Sequence, residues 1–252
     1  MKINISSDAR PQVRTLLVAT VITIVLWFIP YADILTYPFR IFVTFIHEGG
    51  HAIAALLTGN SVESLSVALN ASGETYTTKG NLISQILVSS AGYLGATAYG
   101  VLLLFLIRRA IAARIVLVGS AVLILALTLG YGLWSPLTLL MGILLSVGLI
   151  AIAKYASPRV ATFFVSFLAV QCVLNALLDL KTVLFLSSPF APSVPTDAMN
   201  MANATGIPAM FWAVIWIGLS FLLLSMAMRF YAVSREQKAK QQDLPFEEPL
   251  EV

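Results

Sequence analysis

Two histidines and a glutamate lie within five residues of one another in an otherwise apolar segment. The segment reads FIHEGGHAIAALLTG (45–59); it holds His47, Glu48 and His51, and the chain has no other histidine. Residues four apart share one face of a helix, so both imidazoles can point a nitrogen at a single ion. Glu48 projects about 100° around the helix from His47, close enough to reach a metal-bound water without being a ligand. This is the HExxH arrangement, in which two histidines bind zinc and the glutamate acts as general base.

A catalytic zinc site of this kind needs a third protein ligand beside the two histidines. Since no histidine remains, that ligand is a carboxylate or the only cysteine, Cys172. Among the acidic residues before the C-terminal tail, only Glu48 and Asp179 lie within apolar segments. A charge in the hydrocarbon region costs at least about 2.5–3.5 kcal/mol, so we expect Asp179 to face a cavity, a partner or a metal. We expect Cys172 to be a small buried apolar residue.

Two other polar residues are candidates for supporting roles. Asn175 lies four residues before Asp179, on the same face of a predicted helix. Its amide is placed to orient that carboxylate or to hydrogen-bond a reacting carbonyl. Asp197 lies in a loop rich in proline and serine, and we predict that it caps the N-terminus of the helix that follows.

The histidines also have explanations that involve no metal. Membrane histidines can be satisfied by backbone carbonyls, and they can form part of a proton pathway. Neither explanation accounts for the spacing of His47 and His51 with a glutamate between them. A metal site is therefore the favoured interpretation.

The composition places these residues in a membrane protein. The chain is 59% hydrophobic and 11% charged, whereas a soluble domain is about half apolar and about a quarter charged. Apolar runs of about 20 residues predict helices that span a bilayer. The net charge is only +3 and no basic patch alternates with aromatic residues, so nucleic acid is not an expected partner.

We predict an all-α, multi-pass membrane protein. Residues 1–13 would be an N-terminal segment, 14–231 the transmembrane domain, and 232–252 a disordered polar tail. The first apolar run is expected to be retained as a helix, because no small-residue cleavage site follows it. The apolar windows predict about seven transmembrane helices, at residues 14–32, 38–58, 81–107, 115–131, 134–153, 160–186 and 207–230.

One insertion follows the second predicted helix and differs in pattern. Residues 62–79 alternate polar and apolar side chains around an Asn-Ala-Ser-Gly turn, which predicts a small β-hairpin at 61–80. Two interpretations remain open for it. It is either an interfacial loop with a little strand, or an edge strand that captures an extended peptide through backbone pairing.

Small residues recur on one predicted helix. Gly92, Ala96 and Gly100 are spaced every fourth residue, which predicts a smooth helix face for close packing in the membrane. Gly49 and Gly50 lie between the two histidines. They serve either close helix packing or the approach of another backbone to the ion.

The residues discussed above resemble those of a known family. HEGGH in a membrane helix, with an aspartate in LLDL on a later helix, resembles the site-2-type intramembrane zinc proteases, peptidase family M50. The M50B-like branch is the most similar, because AGYLGATAYG and PTDAMNMANATGIPAMFWAVIWIGLS also resemble it and extend the similarity over about residues 40–225. The chain departs from the better-known members in having Leu-Asp-Leu in place of Leu-Asp-Gly.

The resemblance implies specific roles for the residues at the site. His47, His51 and Asp179 would bind one Zn²⁺, and Glu48 would be the catalytic base that activates a zinc-bound water. The protein would be a zinc metalloendopeptidase of regulated intramembrane proteolysis, multi-pass in the membrane and in the plasma membrane if it is bacterial. Its expected partners are a transmembrane protein substrate and the lipid bilayer.

A different class of function remains as the alternative. The chain would then be a non-proteolytic membrane protein, either a transporter or a scaffold, that retains a zinc site. Transporters often have internal repeats with paired broken helices, and no clear repeat relates the two halves of this chain. Glu48 is also intact, which favours the peptidase.

Overall fold

The computed structural model of the chain describes residues 10–109, 111–187 and 195–232. The predicted tail lies outside these residues except for Ala232, and only the last residues of the predicted N-terminal segment fall within them. The described residues form eight helices and two strands: α1 (Arg10–Trp27), α2 (Asp33–Leu57), β1 (Val62–Val67), β2 (Gly73–Thr77), α3 (Leu82–Arg108), α4 (Ala113–Tyr131), α5 (Pro136–Tyr155), α6 (Pro158–Leu186), α7 (Asp197–Thr205) and α8 (Ala209–Ala232).

The helices confirm a multi-pass membrane protein, although not the full number of predicted spans. Within the described residues, five helices are long and apolar enough to cross a bilayer, namely α3, α4, α5, α6 and α8. The helices α1 and α2 are not among them. The first has Arg10 and Arg14 in its N-terminal part, and the second carries Arg40 and the polar cluster around Glu48.

The helix starts follow from local sequence. Ser135 and Ser157 cap α5 and α6, each accepting a hydrogen bond from a backbone N–H in the first turn. A proline follows each serine at the first helical position, where its missing N–H costs no hydrogen bond and its fixed φ suits the helix. These Ser-Pro pairs therefore define where two membrane helices begin.

Glycines allow α2 to pack closely against its neighbours. A Cβ atom at Gly50 would overlap the backbone carbonyl of Ala91 in α3, and one at Gly49 would lie 2.6 Å from Leu127 in α4. Gly100 in α3 lies against α6 in the same way, since its Cβ would be 2.9 Å from the carbonyl oxygen of Ala169. Close packing is therefore the role of Gly49, Gly50 and Gly100.

The predicted hairpin is confirmed. β1 and β2 are antiparallel, with Leu65 opposite Thr75. Leu65 and Val67 are buried against the helices, and the Val67 N–H donates to Thr138 Oγ1 of α5 at 2.8 Å. β1 therefore lies on the inner side of the hairpin. β2 pairs only with β1 among the described strands.

The short helix α7 packs beside the membrane helices. Ala198 and Met201 are fully buried in a cluster with Tyr93 of α3 and Trp216 of α8. The helix after Asp197 was predicted, but its cap is Thr196, whose hydroxyl accepts a hydrogen bond from the Met199 N–H at 3.2 Å. The prediction that Asp197 is the cap is wrong. Asp197 is the first helical residue, so its carboxylate is not used for capping.

Candidate metal centre

Three potential ligand atoms meet at one point beside α2. His47 Nε2 lies 3.1 Å from His51 Nε2. Asp197 Oδ2 lies 3.2 Å from the first of these nitrogens and 3.3 Å from the second. The three atoms form a nearly equilateral triangle, and His47, His51 and Asp197 are the one group of metal-ligand type that the described residues bring together.

The triangle has the dimensions of one face of a zinc tetrahedron. Ligands at about 2.0–2.1 Å from a tetrahedral zinc lie about 3.3–3.4 Å from one another. The observed separations of 3.1, 3.2 and 3.3 Å are close to this spacing. Two imidazole nitrogens and a carboxylate also form a donor set typical of catalytic zinc. The residues therefore fit a zinc ion with three protein ligands.

The orientation of His51 is set by α3. Its Nδ1 lies 2.7 Å from the carbonyl oxygen of Val88. A carbonyl only accepts hydrogen bonds, so Nδ1 carries a proton, and Nε2 is the ring nitrogen that faces the triangle and is available to a metal. This arrangement, in which the second ring nitrogen donates to a backbone carbonyl, is typical of histidines that bind metals. The His47 ring is oriented by an edge-on contact with Tyr93, with centroids 4.6 Å apart.

Asp197 reaches the histidines because α7 is held against α3 and α8. Its side chain is 18% exposed. Burial alone would raise the pKa of the Asp197 carboxyl, but the adjacent His51 and His47 side chains, in their protonated form, outweigh burial and hold that pKa well below its usual range. The same contacts thus favour the charged form of the carboxylate, which is the form that binds a metal.

Glu48 lies beside the triangle without belonging to it. It is only 3% exposed, and Thr75 of β2 donates a hydrogen bond to its Oε2 at 2.7 Å. Glu48 and His47 line two cavities. The larger, of about 870 Å³, lies between the hairpin and α7, and the smaller, of about 310 Å³, lies toward α6. Glu48 is thus almost fully buried but borders two cavities, a position suited to general base chemistry.

The other residues considered in the sequence lie outside the triangle, although Asp179 and Asn175 line the smaller cavity that His47 and Glu48 also line. Asp179 is exposed on α6 and lines the smaller cavity, but it is not in the ligand triangle. The amide of Asn175 donates to the carbonyl oxygen and to the side-chain oxygen of Gln171, so its donors are already used. Cys172 is fully buried, with its Cβ against the face of Gly100. Asp197, and not Asp179, has its carboxylate beside the two histidine nitrogens.

A family model described as peptidase M50B-like matches residues 16–227. The chain belongs to the peptidase M50B-like family. The match extends from α1 into α8, so it includes the histidine pair and Asp197 alike. No curated protein and no solved structure matches the chain at a significant level.

In this M50B-like protein, Gly92 leaves the space in which the imidazoles lie. A Cβ atom at Gly92 would lie 2.5 Å from His51 Nε2 and closer still to His47 Nε2. We expect Gly92→Ala to weaken zinc binding by about 10- to 100-fold, the range found when groups supporting metal ligands are changed. Competition with a chromogenic chelator would measure the affinity.

Gly95→Ala is the matched control for this change. It adds the same methyl group to the same helix, but the nearest atom to that Cβ would be Gly50 Cα at 3.5 Å, an ordinary contact. Its zinc affinity should equal that of the wild type. Equal affinities for the Gly92→Ala variant and the control would contradict the role given to Gly92.

Proposed function

We propose that this protein is an intramembrane zinc metalloendopeptidase that hydrolyses peptide bonds of membrane-embedded proteins. One observation carries the proposal. Nitrogens of His47 and His51 and a carboxylate oxygen of Asp197 converge within 3.3 Å of one another, and the three residues line a cavity that Glu48 also lines. Family membership and five helices able to span a membrane support it.

The ligand triangle and Glu48 divide the chemistry between them. When bound to His47, His51 and Asp197, zinc would polarise a scissile carbonyl and make a coordinated water more acidic. Glu48 takes the proton as the water attacks and then delivers it to the leaving amine. Because Glu48 is almost fully buried, its carboxylate acts in a region of low dielectric, where such charge interactions are stronger.

The larger cavity, of about 870 Å³, would receive the substrate backbone. It is lined by β2 on one side and by Asn200 and Asn203 of α7 on the other. A substrate helix must unwind locally before its carbonyl can be attacked, and the freed backbone groups then need hydrogen-bond partners. The edge of β2 that faces away from β1 can supply them by pairing with an extended segment. Of the two roles considered for the hairpin, we therefore favour substrate capture.

We also infer that α1 and α2 lie in the membrane with the five apolar helices, which gives seven spans. Ala19 of α1 is fully buried against Phe167 and Val170 of α6. Ile41 and Phe42 of α2 are equally buried in the main core. Both helices are therefore packed as parts of the membrane domain, which in a bacterial cell would place the protein in the plasma membrane.

Metal removal tests the proposed function. We expect the purified protein in liposomes to cleave a single-pass transmembrane substrate and to lose this activity when zinc is chelated. Added Zn²⁺ should restore cleavage. Mg²⁺ and Ca²⁺ should not, because these ions prefer sites built from oxygen ligands. Gel analysis of the substrate fragments would measure the rate.

Two outcomes would contradict this function. Cleavage that persists after complete removal of zinc would show that the metal has no part in the reaction. A protein that binds zinc at the triangle but cleaves no transmembrane substrate would support the alternative, a transporter or scaffold that retains the site.

A further inference from the structure

The strand β2 touches both oxygens of the Glu48 carboxylate. Thr75 Oγ1 donates to Glu48 Oε2 at 2.7 Å, and it also lies 3.3 Å from the Glu48 carbonyl oxygen. Gly73 covers the other oxygen, since a Cβ atom there would lie 2.5 Å from Oε1. The residue expected to move protons is thus held by the hairpin and not only by its own helix.

This contact distinguishes the two carboxylate oxygens. Oε2 is occupied by the Thr75 hydroxyl, whereas no described residue donates a hydrogen bond to Oε1. A hydroxyl bonded at one oxygen restricts rotation of the carboxylate, because turning it would break the bond. Oε1 is then the oxygen left to accept a proton from water.

We propose that Thr75 is a positioning residue that holds Glu48 in the orientation needed for proton transfer. The inference rests on the proposed function, in which Glu48 is the base. It also joins two parts of that function, since Thr75 belongs to the strand whose outer edge would pair with an extended substrate. Substrate bound along β2 would therefore be placed in register with a base fixed by the same strand.

A second threonine serves as a control, because it attaches the hairpin to α2 without hydrogen-bonding the Glu48 carboxylate. Thr44 of α2 donates to the carbonyl oxygen of Ala71 at 2.7 Å, so it also ties the hairpin to this helix. Its hydroxyl makes no hydrogen bond with Glu48. If Thr75 only attached the hairpin, removing either hydroxyl would have the same consequence.

Kinetics of three variants test the proposal. Thr75→Val should lower kcat by about tenfold or more, as loss of a hydrogen bond to a charged group implies, while KM and zinc content stay near wild type. Thr75→Ser keeps the hydroxyl and should restore most of kcat. Thr44→Val should leave kcat within about twofold of wild type, since the Thr44 hydroxyl bonds only the backbone carbonyls of Arg40 and Ala71 and not Glu48. Equal losses of kcat in Thr75→Val and Thr44→Val would overturn the positioning role.

A measurement on the metal-free protein tests the contact without any activity. Thr75→Val should lower the melting temperature in the wild-type background. It should lower it much less in a Glu48→Leu background, because the hydrogen bond from Thr75 to the Glu48 carboxylate is already absent there. Thr44→Val should lower it equally in both. Equal shifts for Thr75→Val in the two backgrounds would overturn the proposal. If the wild type shows no zinc-dependent cleavage, that result contradicts the proposed function but not the contact between Thr75 and Glu48. The shifts in melting temperature would still show whether Thr75 holds Glu48.

Discussion

Glu48→Gln should reduce the rate of substrate cleavage by at least about a hundredfold, the usual contribution of a general base, while the protein keeps its zinc. Glutamine has nearly the same shape as glutamate, and its amide oxygen can still accept the hydrogen bond from Thr75. It cannot take a proton from water at neutral pH. Because Glu48 lies outside the ligand triangle, the metal site should be undisturbed. Cleavage rates in liposomes and zinc content of the same preparation would be measured together.

Glu63→Gln provides the control for this change. Glu63 is exposed on β1, so the same loss of charge there should leave both cleavage and zinc content unchanged. Unchanged cleavage by Glu48→Gln would exclude Glu48 as the base. Loss of zinc from that variant would show instead that Glu48 is a ligand.

Asp197→Asn should abolish cleavage, whereas Asp179→Asn should retain it within about tenfold of the wild type. Asparagine preserves the shape of each side chain and removes its charge, and a neutral amide is a much weaker zinc ligand than a carboxylate. Only Asp197 has its carboxylate within 3.3 Å of both histidines. Asp179 lines the neighbouring cavity, so its loss should affect substrate handling more than the chemical step. Steady-state cleavage rates of the two variants would separate these roles.

The reverse order of effects would contradict this assignment. If Asp179→Asn were inactive and Asp197→Asn active, the helix α6 would have to move toward the histidines in the working enzyme. The ligand triangle would then not describe the catalytic state.

The helical part of the site could be predicted from sequence because it depends on local geometry. His47, Glu48 and His51 lie on one continuous helix, where a period of 3.6 residues alone decides which side chains share a face. The hairpin was predictable for the same reason, since strand alternation and turn residues are local signals. Neither feature requires knowledge of which elements pack together.

The third member of the ligand triangle depends on packing between distant segments and could not be predicted in this way. A charge within an apolar span usually faces a partner or a metal, so the sequence favoured Asp179. Asp197 lies in a helix too short to span a bilayer, which reaches the histidines only because Ala198 and Met201 are buried against α3 and α8. One local signal was present: Thr196 is itself a good cap, which leaves the next residue free for another role.

The contact between β2 and Glu48 also could not be predicted from the sequence. Substrate capture was one of two interpretations of the hairpin, but nothing in its pattern indicated that Thr75 would meet Glu48. That contact follows from the burial of Leu65 and Val67 on β1, which fixes the sheet against α2 and turns β2 toward the cavity.

The most direct test of the metal centre is the zinc content of purified wild type, Asp197→Asn and Asp179→Asn, measured by mass spectrometry. We predict about one zinc per chain in the wild type and in Asp179→Asn, and loss of most of it in Asp197→Asn, since a site with three protein ligands loses much of its affinity with one of them. Full retention of zinc by Asp197→Asn, with loss from Asp179→Asn, would contradict a centre formed by His47, His51 and Asp197.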